Sequence, residues 1–185
     1  SSYKFIKGFE EGILDFYSVK RNNVSESVLK ISDFKIQEVP VLAKLLTLAS
    51  LQGIADLLTG EGIRFDDFEL KFTSKDKLMR IDELYAIGPA ISIMMDGYVE
   101  KNNLISLKGT LVPATTINRT IASIPLLGNI LVGKKVGEGV FGVSFKIKGP
   151  KDKLKTTVNP IKTLTPRFIV RAIEKRKKKK KEESK

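Results

Sequence analysis

Two neighbouring segments of the chain alternate between apolar and polar side chains, and this alternation constrains the fold more than any other feature. The apolar positions of the first segment, residues 90–101, are Ile91, Ile93, Met95 and Val99; those of the second, residues 103–112, are Ile105, Leu107 and Leu111. A period of two is typical of strands in a sheet that packs on one face and contacts water on the other. Asn102 and Asn103 suit the positive φ angles of a tight hairpin turn. The two segments therefore predict an antiparallel hairpin with one apolar face.

Further strands are predicted along the chain, separated by turn residues such as Asn22-Asn23 and Gly149-Pro150. They span residues 11–20, 24–38, 63–73, 77–87, 139–148 and 154–158. The clearest of them carries Phe141, Val143, Phe145 and Ile147 on one side. We therefore expect a mainly β fold with helices (α+β), in which a curved antiparallel β-meander has one apolar face. In the 24–38 strand, Val28, Phe34 and Ile36 mark one possible apolar side, but Leu29 and Ile31 lie on the other. This pattern predicts a bulge or a change of register.

Residues 41–59 form the longest apolar segment and predict two short amphipathic helices that partly cover the sheet. At about 100° per residue, Leu42, Leu45 and Leu46 share one side of the first helix. From Leu51 onward the apolar side has rotated, and Gly53 favours a break at residues 51–53. Another helix is predicted over residues 114–124, directly after Pro113.

These helices have two interpretations. They either cap the sheet or form an amphipathic lid that touches lipid. On the second interpretation the candidates for membrane contact are Leu42, Leu45, Leu46, Ile117 and Ile121.

The net charge of +12 is concentrated at the end of the chain. From Arg167 onward there are ten basic and three acidic residues, and the last stretch has no apolar residue. We therefore expect a folded domain over residues 1–170 and a largely disordered basic tail over residues 171–185. Lys177, Lys178 and Lys179 are candidates for contact with anionic lipid headgroups, the alternative being a solvated tail. Nucleic acid is not an expected partner, because no aromatic residue lies among these lysines to stack on bases.

The chain contains no cysteine and no histidine. A thiol nucleophile, a histidine general base and a Cys/His metal site are therefore excluded. Adjacent acidic pairs such as Asp66-Asp67 and Asp82-Glu83 point to opposite faces of a strand, so neither pair can share one substrate or metal. We expect no enzymatic activity and no cofactor.

Several short motifs, in this order and spacing, resemble the C-terminal region of the AsmA-like proteins, in particular the large YhdP-type members with an AsmA-like C-terminal domain. The resemblance covers about residues 60–170. The matching positions are residues 109–114, Asn118, residues 124–128, Gly133, Gly139 and residues 141–143, 148–150 and 158–160.

This resemblance implies a periplasmic protein of a Gram-negative envelope, anchored in the inner membrane by an N-terminal helix upstream of this sequence. Such proteins are similar to bridge-like lipid-transfer proteins, in which an apolar β-groove carries phospholipid between the inner and outer membranes. The implied partners are phospholipid, a membrane surface and the upstream part of the same chain. An uncovered apolar groove costs about 25 cal/mol per Å² in water but suits acyl chains.

The candidates for lining a lipid groove are Ile91, Ile93, Met95, Ile105, Leu107, Leu111, Phe141, Val143 and Phe145. The alternative is a structural or protein-interaction domain with a filled core and no lipid. The two hypotheses differ in whether the apolar residues of the helices pack onto the sheet or stand apart from it.

Overall fold

A computed structural model describes residues 9–101, 104–113 and 142–161. The strands are β1 (Phe9–Arg21), β2 (Val24–Ile36), β3 (Ile63–Lys75), β4 (Leu78–Ile87), β5 (Ile91–Glu100), β6 (Leu104–Pro113), β7 (Gly142–Pro150) and β8 (Lys155–Ile161). The helices are α1 (Pro40–Leu48) and α2 (Gln52–Thr59). The helix predicted over residues 114–124, the Asn102-Asn103 turn and the tail over residues 171–185 lie outside the described residues.

The eight strands form one antiparallel sheet in the order β1 to β8, so each strand pairs with its neighbours in sequence. This arrangement confirms the prediction of a mainly antiparallel β fold with short helices. In the predicted β5–β6 hairpin, Ile93 lies opposite Leu111. The β1–β2 turn consists of Asn22 and Asn23, whose φ angles of 45° and 64° are the positive values that a two-residue hairpin turn requires.

The expected irregularity in β2 lies at Asp33, which has a φ angle of 53°. Ile31 and Phe34 are both buried although they are three residues apart, a spacing that a regular strand would place on opposite faces. Gly12 of β1 also has a positive φ angle, of 89°, where the ladder between the two strands is interrupted. Strand β2 therefore contains an irregularity, as predicted, but the register of its two ladders is the same on both sides of Asp33.

The two predicted helices are present, but the break between them lies earlier than expected. α1 ends at Leu48, Ser50 adopts a φ angle of 58°, and α2 begins at Gln52. Gly53 therefore lies inside α2 and not at the break. At the base of the helical pair, the backbone N–H of Glu38 donates to the carbonyl oxygen of Leu58 at 3.2 Å.

The position of Gly53 leads to a testable prediction about stability. A Cβ added at Gly53 meets no atom within 4 Å, so Gly53→Ala should raise the free energy of unfolding by up to about 1 kcal/mol. Gly97 provides the contrast, because its φ angle is 146° and a Cβ there would collide with the carbonyl oxygen of Ser106. Gly97→Ala should therefore lower the free energy of unfolding by about 2 kcal/mol or more. Urea denaturation of the two variants measures both changes, and a destabilised Gly53→Ala variant would contradict this description of α2.

Candidate functional site

A cavity of about 190 Å³ lies between α1 and the sheet. All of its lining residues are apolar: Phe9, Phe34, Ile36, Val39, Val41, Leu42, Leu45, Phe65, Phe68, Leu84, Ala86, Ile93, Met95, Leu111, Phe145 and Ile147. A cavity of about 150 Å³ with a similar lining stays dry and accepts benzene. The present cavity therefore has room for a short stretch of hydrocarbon but not for a whole lipid.

The sheet side of the cavity is built by the register of the ladder, because directly opposed residues of antiparallel strands share a face. One line of opposed residues runs Leu29, Leu70, Leu84, Met95, Gly109, Phe145 and Val158. The next runs Ile31, Phe68, Ala86, Ile93, Leu111, Val143 and Pro160. The cavity takes seven of its lining residues from these two lines. Strands that are far apart in sequence thus contribute to one apolar site.

The predicted groove residues fall into three groups. Ile93, Met95, Leu111 and Phe145 line the cavity. Ile91 and Val143 are buried in the adjoining core, and Leu107 is half-buried against it. Ile105 is half-buried but lies outside this core, and Phe141 is not among the described residues.

Four phenylalanines that the sequence interpretation did not place in the site form one wall of the cavity. Phe34 stacks on both Phe9 and Phe65, with ring centroids 5.4 and 5.5 Å apart. Phe68 meets Phe34 edge-on at 6.0 Å. Phe65 and Phe68 are three residues apart, so a strict period of two assigns them to opposite faces and hides the cluster. The high phenylalanine content of β3 was the feature of the sequence that could have indicated this cluster.

Leu45 and Leu46, two of the candidates for membrane contact, are buried in the described structure. Their side chains are only 3% and 0% exposed, because α1 packs them into the core against the sheet. Leu42 is half-buried and lines the cavity. The exposed apolar side chains of the helices are instead Val41, Leu48 and Leu57. Ile117, Ile121, Lys177, Lys178 and Lys179 lie outside the described residues.

The opposite face of the sheet carries a basic patch that the sequence interpretation missed. Lys108 lies opposite Lys146, and Lys148 lies opposite Lys155. All four side chains are exposed, and we call them the lysine patch. Like charges directly opposite each other are destabilising. Asp96, whose Oδ2 lies 3.6 Å from Lys108 Nζ, offsets one of these charges. The spacing of Lys146 and Lys148 was visible in the sequence, but their opposition to Lys108 and Lys155 was not.

Comparison with protein-family models, with curated proteins and with solved structures found no match to this chain. Neither helix in the described part of the chain is long and apolar enough to cross a membrane. The same residues include no group of three or more histidine, cysteine, aspartate or glutamate side chains placed to hold a metal ion.

The two leucines Leu46 and Leu48 of α1 test whether the helix belongs to the core. Leu46 is fully buried, so Leu46→Ala should lower the free energy of unfolding by about 2–5 kcal/mol. Leu48 is 44% exposed, and Leu48→Ala on the same helix should cost less than about 1 kcal/mol. Thermal or urea unfolding of both variants gives the comparison. Equal, small effects would mean that α1 stands apart from the sheet in solution.

Proposed function

We propose that this domain holds a phospholipid acyl chain against its sheet, as the C-terminal module of a bridge-like lipid-transfer protein that acts in envelope biogenesis. The observation that carries the proposal is the cavity under α1, which is lined by apolar side chains alone. Such a lining offers no hydrogen-bonding side chain to a polar ligand, and leaving it in water costs about 25 cal/mol per Å². An unbranched hydrocarbon chain matches this chemistry.

The size of the cavity decides how much of the lipid it can take. About 190 Å³ accommodates part of one acyl chain, so the remainder of the lipid must lie beyond the cavity. Leu107 lies on the same face of β6 as Leu111 and is half-buried. Its side chain can therefore contact the part of the acyl chain that lies beyond the cavity. We propose that the sheet is curved, that these lines of opposed residues form one continuous apolar face, and that the chain runs along it.

The resemblance to AsmA-like C-terminal regions supports a cellular setting for this function. We propose that the domain lies in the periplasm of a Gram-negative cell and that the parent protein is anchored in the inner membrane. Phospholipid, a membrane surface and the upstream part of the chain are then the partners, and the domain transports lipid without catalysing a reaction.

One observation favours the alternative, a structural or protein-interaction domain whose core is filled. Leu45 and Leu46 pack onto the sheet, as that hypothesis requires. The cavity beside them supports acyl-chain binding, because a filled core leaves no apolar space of this size. The decisive question is therefore whether a hydrocarbon chain enters it.

Site-specific photo-cross-linking tests the proposal. A photoreactive amino acid at Met95 lies in the cavity, and one at Leu107 lies on the same face outside it. One at Lys30 lies on the opposite face, outside the lysine patch, and is the matched control. In cells or with phospholipid vesicles, mass spectrometry should detect phospholipid adducts at Met95 and Leu107 but not at Lys30. Adducts at Met95 alone would limit binding to the cavity. A folded Met95 variant without any adduct would support the filled-core alternative.

The lysine patch should contribute to binding of anionic membrane surfaces. Each lysine near such a surface contributes about 1 kcal/mol, so Lys146→Ser with Lys148→Ser should weaken binding to phosphatidylglycerol vesicles by up to about 30-fold. The effect should shrink as salt is raised, because screening shortens to about 8 Å at physiological ionic strength.

The matched control is Lys30→Ser with Lys71→Ser, because both ammonium groups lie within 4 Å of the Glu69 carboxylate. Deleting residues 175–185 measures the contribution of the tail separately. Vesicle co-sedimentation compares the variants, and equal losses for the two lysine pairs would contradict a specific role of the patch.

A further inference from the structure

The first strand of the sheet is exposed along almost its whole length. Twelve of the thirteen residues of β1 are exposed. Its large apolar side chains with high exposure are Ile13 at 70%, Leu14 at 37%, Phe16 at 56%, Tyr17 at 64% and Val19 at 55%. One edge of β1 pairs with β2, and its other edge pairs with no strand among the described residues. A long, apolar edge with unpaired backbone groups is a template for pairing with another strand.

The charges of β1 indicate which strand fits this edge. Glu10 and Glu11 lie at its beginning, and Lys20 and Arg21 lie at its end. The two carboxylates contact basic side chains of the same sheet, yet each remains about half exposed. An antiparallel copy of β1 would bring acidic ends against basic ends, whereas a parallel copy would bring like charges together. We propose that β1 pairs antiparallel with the β1 strand of a second copy of this chain.

The face of the sheet restricts the register of this pairing. Phe16 lies opposite Leu29, and Leu14 lies opposite Ile31, so the even-numbered residues of this part of β1 share the face that lines the cavity. If this face is to continue into the second copy, even-numbered residues must oppose even-numbered residues. The two-fold axis must then pass through a residue and not between two residues.

Three central residues are available for the axis. Asp15 would oppose its own carboxylate, which is unfavourable. Tyr17 on the axis would place Leu14 opposite Lys20 of the second copy. Phe16 on the axis pairs two phenylalanines and places Ile13 opposite Val19 of the second copy. It also places Glu11 opposite Arg21 of the second copy, so Phe16 is the centre of the proposed interface.

This pairing joins the cavity-bearing faces of two copies into one wider surface and buries the apolar edge of β1. It goes beyond the proposed binding of an acyl chain and does not depend on it. The same cavity exists in one copy whether or not the edges pair.

Because the chain has no cysteine, disulfide trapping tests both the pairing and its register. In the proposed dimer the Cα atoms of the two copies of residue 16 lie about 5 Å apart, within the range that a disulfide bridges. The two copies of residue 19 lie about 20 Å apart. Under mild oxidation, Phe16→Cys should form a covalent dimer more than ten times faster than Val19→Cys. A mixture of Ile13→Cys and Val19→Cys chains should form the mixed dimer.

Sedimentation velocity gives an independent test with the full chain. At about 50 μM the parent protein should be dimeric. Phe16→Lys should be monomeric and should still unfold in one cooperative transition, since Phe16 is exposed in the single chain. Equal oxidation rates for Phe16→Cys and Val19→Cys would overturn the proposal. So would a monomeric unmodified chain, or a Phe16→Lys variant that is still dimeric. A monomeric parent that still forms a lipid adduct at Met95 would overturn this inference and leave the proposed function standing.

Discussion

The register of the antiparallel ladder is the constraint on which the rest of the structure depends. A slip of one residue would move a whole line of apolar side chains to the other face of the sheet. The lines that include Met95 and Ile93 reach from β2 to β8 because each pairing keeps one register along this part of its ladder. The register shifts between Lys71 and Phe72 and between Ile81 and Leu84 lie outside it. The irregularity at Asp33 returns Phe34 to the side on which Ile31 lies.

The packing of α1 onto this register determines the size of the site. The buried side chains of Leu45 and Leu46 fix the helix against the sheet, and the phenylalanines of β2 and β3 form the wall beside it. Aromatic rings favour stacked and edge-on contacts, and Phe34 makes both kinds, with Phe65 and with Phe68. One wall of the cavity therefore consists of rings in defined mutual contact.

The two faces of the sheet have different chemistry because the strands alternate. On β7, Phe145 and Ile147 face the apolar side, and the intervening Lys146 and the next residue Lys148 face the other. The lysines of neighbouring strands then meet in opposed pairs, an arrangement that costs stability. In the proposed function, the apolar face binds hydrocarbon and the lysine-bearing face binds anionic headgroups.

The sequence by itself determined the local elements and part of the site. The alternation of apolar and polar residues was sufficient to predict the strands, because a period of two is a property of each strand alone. It was also sufficient to identify four residues that line the cavity, Ile93, Met95, Leu111 and Phe145. The rotation of the apolar side along residues 41–59 was sufficient to predict two helices. The break between them lies at Ser50, which has a positive φ angle, and not at Gly53.

Only the tertiary structure decided which elements meet. The burial of Leu45 and Leu46, the approach of Phe34 to Phe65, and the opposition of Lys108 to Lys146 each join residues that are far apart in the chain. A local pattern specifies that a side chain belongs to an apolar or polar face, but not what covers that face. Packing and ladder register, which depend on the whole sheet, determine which element packs on that face.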